Sequence, residues 1–315
     1  MADTILVTAI GGNVATGIIR CLNDYKLSII GCDINEYPMG IDLVKKFYRV
    51  PLAIDDTYIP TILDICDKNE ITHIIPVNEV EIRVINHHRE LFKEHGIHVI
   101  IQSPNILDIC FDKYLCSNVL AELGVNVLQS MLPTEFIEDG DTYIAKLRTS
   151  SGSKLVKIIS TKRELDELEL QYPDQILVQQ YISGENQEYT IGVFSDGCDV
   201  RSISFKRDLQ HGYSSKIELV HDESLSALAN TVAKGLNLVG SINIQLRKMN
   251  GRNYVFEINP RLSGTVHFRH LLGFQDAVWW YNLVSNYPLP PYINKYHKAI
   301  GIREINEKIV YKEHY

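Results

Sequence analysis

Apolar and polar residues alternate along the first hundred positions with two different periods. Short runs rich in Ile, Val and Thr predict strands at 4–9, 28–33, 72–76 and 98–102. Between these runs, apolar residues recur with the helical period at 16–22, 58–68 and 80–92. Strands separated by helices in this way are typical of an α/β domain built on a parallel sheet.

The pattern changes beyond residue 103, where Ser103-Pro104-Asn105 interrupts the chain and indicates a domain boundary near 103–112. A helix is predicted from Lys113 to Leu123, ending at Gly124. From residue 142 onward the strands lie closer together, which indicates antiparallel pairing in an α+β domain. Strands are predicted at 143–147, 154–159, 176–181, 188–194 and 200–205, helices at 162–170, 225–236 and 274–285, and a hairpin at 241–259.

Composition and charge exclude several classes of protein. With 45% apolar and 22% charged residues, the 315-residue chain has the composition of a globular protein. Its length suits about two domains. A net charge of −8 provides no basic field for a phosphate backbone, so a nucleic-acid partner is not expected.

Cysteine usage and hydropathy indicate the compartment. The 6 cysteines form no C-x-x-C pair, so we expect buried reduced thiols rather than a metal or redox site. No apolar run approaches the ~20 residues that span a bilayer. The first residues carry an acid, Asp3, where a signal peptide has positive charge. We therefore expect a cytoplasmic location and no membrane partner.

A glycine-rich turn after the first predicted strand raises the question of dinucleotide binding. Such a site needs G-x-G-x-x-G followed about 20 residues later by an acid. Asp33 supplies the acid, but Gly11, Gly12 and Gly17 are spaced G-G-x-x-x-x-G. We favour a tight strand-to-helix turn without NAD. A small anionic ligand at the helix N-terminus and NAD binding remain as alternatives.

The segment 241–261, SINIQLRKMNGRNYVFEINPR, predicts a β-hairpin with one polar face. A two-residue Asn250-Gly251 turn would pair Gln245 with Phe256 and mix apolar with charged side chains. A three-residue loop, 249–251, gives the cleaner apolar face by pairing Leu246 with Tyr254, Ile244 with Phe256, and Ile242 with Ile258. We therefore predict the three-residue loop.

The opposite face of this hairpin collects oxygen-bearing side chains: Asn243, Gln245, Glu257 and Asn259. Carboxylate and amide oxygens suit Mg²⁺, which commonly completes its shell with water and substrate phosphates. Arg261, just beyond, adds a positive charge for the same phosphates. A solvated polar strand face is the alternative interpretation.

Lys146 lies within the apolar strand 143–147, where an unpaired ammonium group is costly to bury, so it needs an anion. A loop of small residues follows at 149–153, whose N–H groups are suited to phosphate oxygens. A flexible hairpin loop is the alternative. The strand 176–182 then leads into a turn before Glu188, a suitable place for adenine and ribose.

Four motifs, taken in their order along the chain, resemble those of the ATP-grasp superfamily. They are Asp112-Lys113, Lys146 before its Ser/Gly loop, Gln179–Ile182 with Glu188, and EINPRLSGT at 257–265. The closest types are the carbamoyl phosphate synthase large-subunit-like and pyrrolysine-biosynthesis carboxylate-amine ligases. The resemblance implies an α/β, Rossmann-like N-terminal domain (1–108) that binds no NAD. It also implies an α+β ATP-grasp domain (109–300), whose lid subdomain at about 125–185 precedes a nucleotide- and metal-binding subdomain, and a C-terminal tail (301–315).

The resemblance also implies the role of each motif. The cofactors are ATP and two Mg²⁺ ions, with Mn²⁺ as a substitute, and Gln245 departs from the Glu that many relatives carry. ATP would contact Lys113, Lys146, Ser150, Ser151, Gly152, Ser153, Gln179, Gln180, Tyr181, Ile182 and Glu188. The metal ligands would be Gln245, Glu257 and Asn259, and the catalytic cations Lys146, Lys206 and Arg261.

The implied activity is an ATP-dependent ligase that converts a small carboxylate to an acyl-phosphate and joins it to an amine or ammonia. Amino acids are candidate substrates, and the oligomeric state is left open, with a homodimer as one candidate. The substrate candidates are Asn78, Glu79, Glu81, Lys206, Arg207 and His211. His267 and His270 share a helical spacing but lack a third ligand, so we expect polar packing there. A non-catalytic nucleotide-binding regulator and an NAD oxidoreductase are the competing hypotheses.

Overall fold

A computed structural model describes residues 3–149, 155–181, 188–210, 212–294 and 296–304. The chain forms two compact units. One consists of residues 1–101, 261–296 and 300–315, and the other of residues 102–260 and 297–299. Among the described residues, no helix combines the length and the apolar character that a membrane span requires.

The first hundred residues form a five-stranded parallel sheet in the order β3-β2-β1-β4-β5. Its strands are β1 (Thr4–Val7), β2 (Ser28–Asp33), β3 (Lys46–Arg49), β4 (His73–Ile75) and β5 (His98–Val99). Its helices are α1 (Asn13–Asp24), α2 (Tyr58–Lys68), α3 (Glu79–His87) and α4 (Arg89–Glu94). The predicted α/β class is confirmed.

Two local predictions in this region are wrong. Strand β3 was not predicted, because its KFYR sequence pairs at the sheet edge and buries none of its four residues. The predicted helix 80–92 is divided into α3 and α4 at His88, which has φ −104° and ψ 19°. The apolar periodicity continues across this break, so it gave no sign of the division.

The second unit holds two antiparallel sheets. Their strands are β6 (Ser130–Met131), β7 (Tyr143–Leu147), β8 (Val156–Ile159), β9 (Ile176–Gln180), β10 (Glu188–Asp196), β11 (Val200–Gln210), β12 (Tyr213–Val220), β13 (Val239–Met249) and β14 (Arg252–Asn259). The helices are α5 (Pro104–Phe111), α6 (Lys113–Glu122), α7 (Lys162–Gln171) and α8 (Glu223–Gly235). The small sheet has the order β6-β9-β7-β8, and the larger one contains β14-β13-β10-β11-β12.

Helix α5 was missed because its first residues resemble a chain breaker. Ser103 is the N-cap and accepts a hydrogen bond from the N–H of Ile106, and Pro104 occupies the first helical position. Proline is tolerated there because the N–H it lacks would have no intrahelical partner. The Ser-Pro-Asn sequence therefore starts a helix where we predicted an interruption.

The larger sheet packs one apolar face against α5, α6 and α8. Ile191, Ile244 and Ile258 are buried on this face with Leu120 of α6 and Leu225 of α8. Five of the six cysteines are buried, and all six are free thiols. Successive side chains of a strand point to opposite faces of the sheet. The polar residues that alternate with these apolar ones therefore lie on the opposite face, where the candidate site is found.

The last segment belongs to the first unit and contains α9 (Val266–Leu271), α10 (Asp276–Val284) and β15 (Ile300–Ile302). Helix α9 packs against α1 at Gly17, where an added Cβ would lie 2.8 Å from Val266 Cγ1. The third glycine of the predicted turn is thus needed for helix packing. This explains a glycine at position 17 without any bound nucleotide.

We expect Gly17→Ala to lower the free energy of unfolding by about 1 kcal/mol. Alanine favours a helix by about 1 kcal/mol, but overpacking a tight contact costs about 1–3 kcal/mol. Urea denaturation measures the change. Gly264→Ala is the matched control, because no atom lies within 4 Å of its added Cβ. Equal stability of the two variants would contradict this account of Gly17.

Candidate active site

Strands β13 and β14 form the predicted hairpin, but the predicted three-residue loop is wrong. Met249 pairs with Arg252, so the turn has two residues, Asn250 and Gly251, with φ of 51° and 73°. Two positive φ values are typical of a type I′ turn. The prediction failed because we assumed a regular ladder between the strands.

A β-bulge at Phe256 corrects the register that seemed unfavourable. Gln245 pairs with Glu257, whereas Leu246 pairs with Val255, so Phe256 is the extra residue. A bulge of this kind shifts the alternation of side chains by one position. Val255 therefore packs in the apolar core, in place of the predicted Tyr254 and Phe256.

The polar face predicted for the hairpin is present. Gln245 lies directly opposite Glu257, and Asn243 lies opposite Asn259. Directly opposed residues of antiparallel strands point to the same side of the sheet. Asn243 is buried, and its Oδ1 accepts a hydrogen bond of 2.8 Å from Thr190 Oγ1. Four amide and carboxylate side chains thus share one face.

Lys146 is a buried cation on β7. Its Nζ donates a hydrogen bond of 2.8 Å to Gln179 Oε1 on β9, and the residue is 9% exposed. Nζ also lies 6.0 Å from the centre of the Phe256 ring. Burial lowers the pKa of Lys146 to about 8, partly offset by the negative charge of Glu257, and the positive charge of Lys113 lowers it further.

Gln179 was predicted to contact ATP, yet its side-chain amide is engaged within the protein. Besides accepting from Lys146, it donates from Nε2 to Ser130 Oγ at 3.0 Å. Gln179 therefore holds Lys146 in position on the neighbouring strand. Next to it, the Gln180 N–H donates to the Gln129 carbonyl.

Lys113 lies at the start of α6, and its Nζ is 3.8 Å from Glu257 Oε1. Asp112 caps this helix by accepting from the N–H groups of Tyr114 and Leu115. The same carboxylate accepts a two-pronged pair of hydrogen bonds from Arg148, at 2.9 and 2.6 Å. This ion pair was not predicted from the sequence, and it fixes Lys113 relative to the end of β7.

Lys113, Gln179 and Glu257 line a small cavity together with Cys110, Cys116 and Phe256. Its volume of about 10 Å³ is room for about one water molecule. The cavity shows that α6, β9 and the bulged end of β14 bring their polar groups to one place. Lys146 belongs with these polar residues, because the charges of Glu257 and Lys113 both shift its pKa.

Arg207, rather than the predicted Lys206, lies on the polar face. Its Nη2 donates to Glu188 Oε1 at 2.5 Å and to Gln245 Oε1 at 2.8 Å. Lys206 pairs with Tyr189 and shares its side of the sheet, which is the side of the apolar core. Strand register thus places Arg207, which was also a substrate candidate, on the polar face and Lys206 on the other face.

Glu188, predicted to bind ribose, forms ion pairs with two arginines. Arg207 is 2.5 Å from one carboxylate oxygen, and Arg247 is 3.5 Å from the other. Tyr181 is half-buried, and its N–H donates to the Thr142 carbonyl. Ser150, Ser151, Gly152, Ser153, Ile182 and His211 lie outside the described residues. Arg261 belongs to the first unit, where its Nη1 donates to the Leu262 carbonyl.

The acids proposed for substrate in the first unit have structural partners. Glu81 is buried and accepts from Thr8 Oγ1 at 2.6 Å and from Tyr58 OH at 3.1 Å, and burial raises its pKa. Glu79 pairs with Arg83 at 2.8 Å, and Asn78 is the N-cap of α3. These contacts show that the three residues stabilise the start of α3, and a role in substrate binding stays a prediction.

Asp33 is also engaged within its own unit. Its Oδ2 accepts a hydrogen bond of 2.7 Å from the Gly11 N–H, and its Oδ1 accepts one from the Asn35 N–H. The acid therefore stabilises the turn after β1, and this favours the structural interpretation of the glycines over NAD binding.

His267 and His270 stack with ring centres 6.4 Å apart, and His270 Nε2 lies 3.3 Å from Asp24. Burial lowers the pKa of both. Among the described residues there is no group of three His, Cys, Asp or Glu side chains placed to hold a metal. Polar packing of the two histidines agrees with this finding.

The polar face fits magnesium bound together with an anion. Glu257 and Asn259 offer hard oxygen atoms on one side of β14, and two lysines lie beside Glu257. A carboxylate and an amide are too few ligands for octahedral Mg²⁺, which commonly adds phosphate oxygens and water. Gln245 fits less well, because its Oε1 already accepts a hydrogen bond from Arg207.

Comparison with known proteins agrees with this arrangement. Residues 110–265 match the family model of the ATP-grasp domain, and residues 5–100 match that of the PylC-like N-terminal domain. Biotin carboxylase from Campylobacter jejuni is structurally similar, with a TM-score of 0.72 at 16% identity, covering 92% of this chain and 72% of that chain.

Two further solved structures share the fold. N5-carboxyaminoimidazole synthetase from Staphylococcus aureus, complexed with ADP, has a TM-score of 0.71 at 15% identity, covering 91% of this chain and 78% of that chain. L-amino acid ligase from Bacillus licheniformis has a TM-score of 0.68 at 14% identity, covering 90% and 74%. The chain thus carries an ATP-grasp domain at residues 110–265, preceded by an N-terminal domain of the PylC-like type at residues 5–100.

Proposed function

We propose that the protein is an ATP- and Mg²⁺-dependent ligase that activates a small carboxylate as an acyl-phosphate and joins it to an amine or ammonia. The similar structures include an L-amino acid ligase, a synthetase complexed with ADP, and a biotin carboxylase domain with MgADP and bicarbonate. These are properties of the similar proteins. For this chain they support ATP-dependent activation of a carboxylate, with amino acids as first candidates.

The buried ammonium group of Lys146 is the observation that carries this proposal. It lies at 9% exposure, its hydrogen-bond acceptor is the neutral amide of Gln179, and its pKa is lowered to about 8. A buried cation is costly unless an anion neutralises it. Lys113 lies 3.8 Å from Glu257, and the charges of both residues act on Lys146. Two lysines and one acid give an excess of positive charge that suits a triphosphate.

In this proposal each group acts on charge during phosphoryl transfer. A substrate carboxylate oxygen attacks the γ-phosphorus, the bond to the β–γ bridging oxygen breaks, and ADP leaves with the electron pair. Lys146 and Lys113 stabilise negative charge on the phosphate oxygens. Mg²⁺, held by Glu257 and Asn259, would supply further charge neutralisation. An amine then attacks the acyl carbon, loses its proton, and phosphate leaves.

Release of ADP and phosphate on addition of carboxylates and amines tests the proposal. We expect ADP release that depends on Mg²⁺ and on both substrates, starting from pairs of amino acids. ATP binding without ADP release on any pair, including bicarbonate with ammonia, would favour the competing hypothesis of a nucleotide-binding regulator. Absence of ATP binding would contradict the proposal outright.

A further inference from the structure

Arg207 lies on the polar face of β10, β11, β13 and β14, and its contacts bear on the number of metal ions there. One nitrogen, Nη2, donates to both Glu188 and Gln245, and the side chain is 9% exposed. These two hydrogen bonds tie the guanidinium to side chains on β10 and β13. Arg207 is therefore a positive charge in a fixed position. It touches Gln245, one of the predicted metal ligands.

A metal ion bound to Gln245 would lie close to this charge. Mg²⁺ binds oxygen at ~2.1 Å, and Gln245 Oε1 is 2.8 Å from Arg207 Nη2. The ion would therefore lie within about 5 Å of the guanidinium. Gln245 is neutral and brings no charge to offset the repulsion. Glu188 gives little relief, because it is shared with Arg247 at 3.5 Å.

The same guanidinium retains a donor for a ligand. Arg207 Nε is buried and has no hydrogen-bond partner in the part of the chain that the structure describes. A buried N–H without an acceptor is unfavourable, and guanidinium groups match phosphate and carboxylate oxygens well. Nε is thus suited to an anionic oxygen of a bound nucleotide or acyl-phosphate.

We propose that Arg207 takes the place of one of the two metal ions that the ATP-grasp resemblance implies. The chain binds a single divalent ion per nucleotide, at Glu257 and Asn259. Arg207 holds Gln245 by its Nη2 and binds a phosphate oxygen by its Nε. This inference rests on the proposed function, because it concerns the same polar face and the same nucleotide.

Manganese binding tests the proposal without any turnover. The full chain is saturated with the β,γ-imido analogue of ATP and titrated with Mn²⁺, and the free ion is measured by electron paramagnetic resonance. We expect one bound Mn²⁺ per chain. Two bound ions in the unaltered protein would overturn the inference and leave the proposed function intact. No nucleotide-dependent Mn²⁺ binding would instead contradict the proposed function.

Substitutions show whether Arg207 is the cause. We expect the double variant Arg207→Met with Gln245→Glu to bind two ions, because the positive charge is gone and a carboxylate replaces the amide. Gln245→Glu alone should still bind one, since Arg207 pairs with the new acid. Arg201→Met on the same strand is the matched control and should bind one. A folded double variant that binds one ion would contradict the role given to Arg207.

Discussion

Lys146→Met is expected to lower kcat/KM for ATP by about 100- to 1000-fold, the usual effect of removing one donor that stabilises transition-state charge. Methionine keeps the length of the side chain and removes the ammonium group. Burial opposes that charge, as the lowered pKa shows. Removing the charge relieves the cost of burying it, whereas the buried Gln179 Oε1 loses its hydrogen-bond donor. The melting temperature of the variant is measured as well, and an unchanged value shows that the lost activity does not come from unfolding.

Lys157→Met is the matched control for Lys146. Lys157 lies on β8, paired with Ala145 of the same sheet, and its side chain is exposed. We expect its kcat/KM for ATP to stay within about twofold of the unaltered protein, because an exposed lysine makes little electrostatic contribution. An equal loss in both variants would show that the buried position of Lys146 is not what matters.

Glu257→Gln is expected to reduce ADP release by at least about 100-fold at a fixed Mg²⁺ concentration. The change keeps the shape of the side chain but removes the charge that attracts the metal ion. It also removes the acid 3.8 Å from Lys113 and the charge that raises the pKa of Lys146. Measuring ADP release over a range of Mg²⁺ concentrations separates weaker metal binding from slower chemistry.

Glu218→Gln on β12 is the control for Glu257, since Glu218 is an exposed acid in the same sheet and lies opposite Lys206. It should not change the Mg²⁺ dependence. If Glu257→Gln retained near-normal turnover at low Mg²⁺, the assignment of the metal to β14 would be wrong. A shift of the Mg²⁺ requirement to higher concentration, with partial recovery of rate, is the outcome we expect.

Much of the fold was predictable because buried strands and amphipathic helices have strong periodicities. The strand Ser28–Asp33 and the helix Tyr58–Lys68 have the predicted limits. Strand β3 and helix α5 were not predictable from periodicity. One is an exposed edge strand without a buried residue, and the other begins with a Ser-Pro pair that also suits a turn.

The composition of the site was easier to predict than its geometry. Oxygen-bearing residues at alternate positions indicated the polar face of the hairpin, and a lysine within an apolar strand indicated a buried cation. The bulge at Phe256 allows a two-residue turn to pair Gln245 with Glu257. The strand register places Arg207 on the polar face and Lys206 on the other face. Both depend on pairing between strands, which one sequence does not specify. The division into domains stays a proposal, as do the roles of Arg261 and the residues at 150–153.

The central claim is that Lys146 binds the triphosphate as a cation, and proton uptake on ATP binding tests it most directly. Burial lowers the pKa of Lys146 to about 8 in the free protein, so a fraction of the molecules carries a neutral amine at pH 8. A bound triphosphate favours the charged form and raises this pKa. Affinity for ATP should therefore fall as the pH rises through 8.

Calorimetric titration with ATP at pH 8, in buffers of different ionisation enthalpy, measures this uptake. Phosphate groups with a second pKa near 6 are ionised at that pH and contribute little. We predict net proton uptake on ATP binding at pH 8, and none with Lys146→Met. Binding of ATP with no proton uptake in the unaltered protein, or with equal uptake in both, would contradict the account.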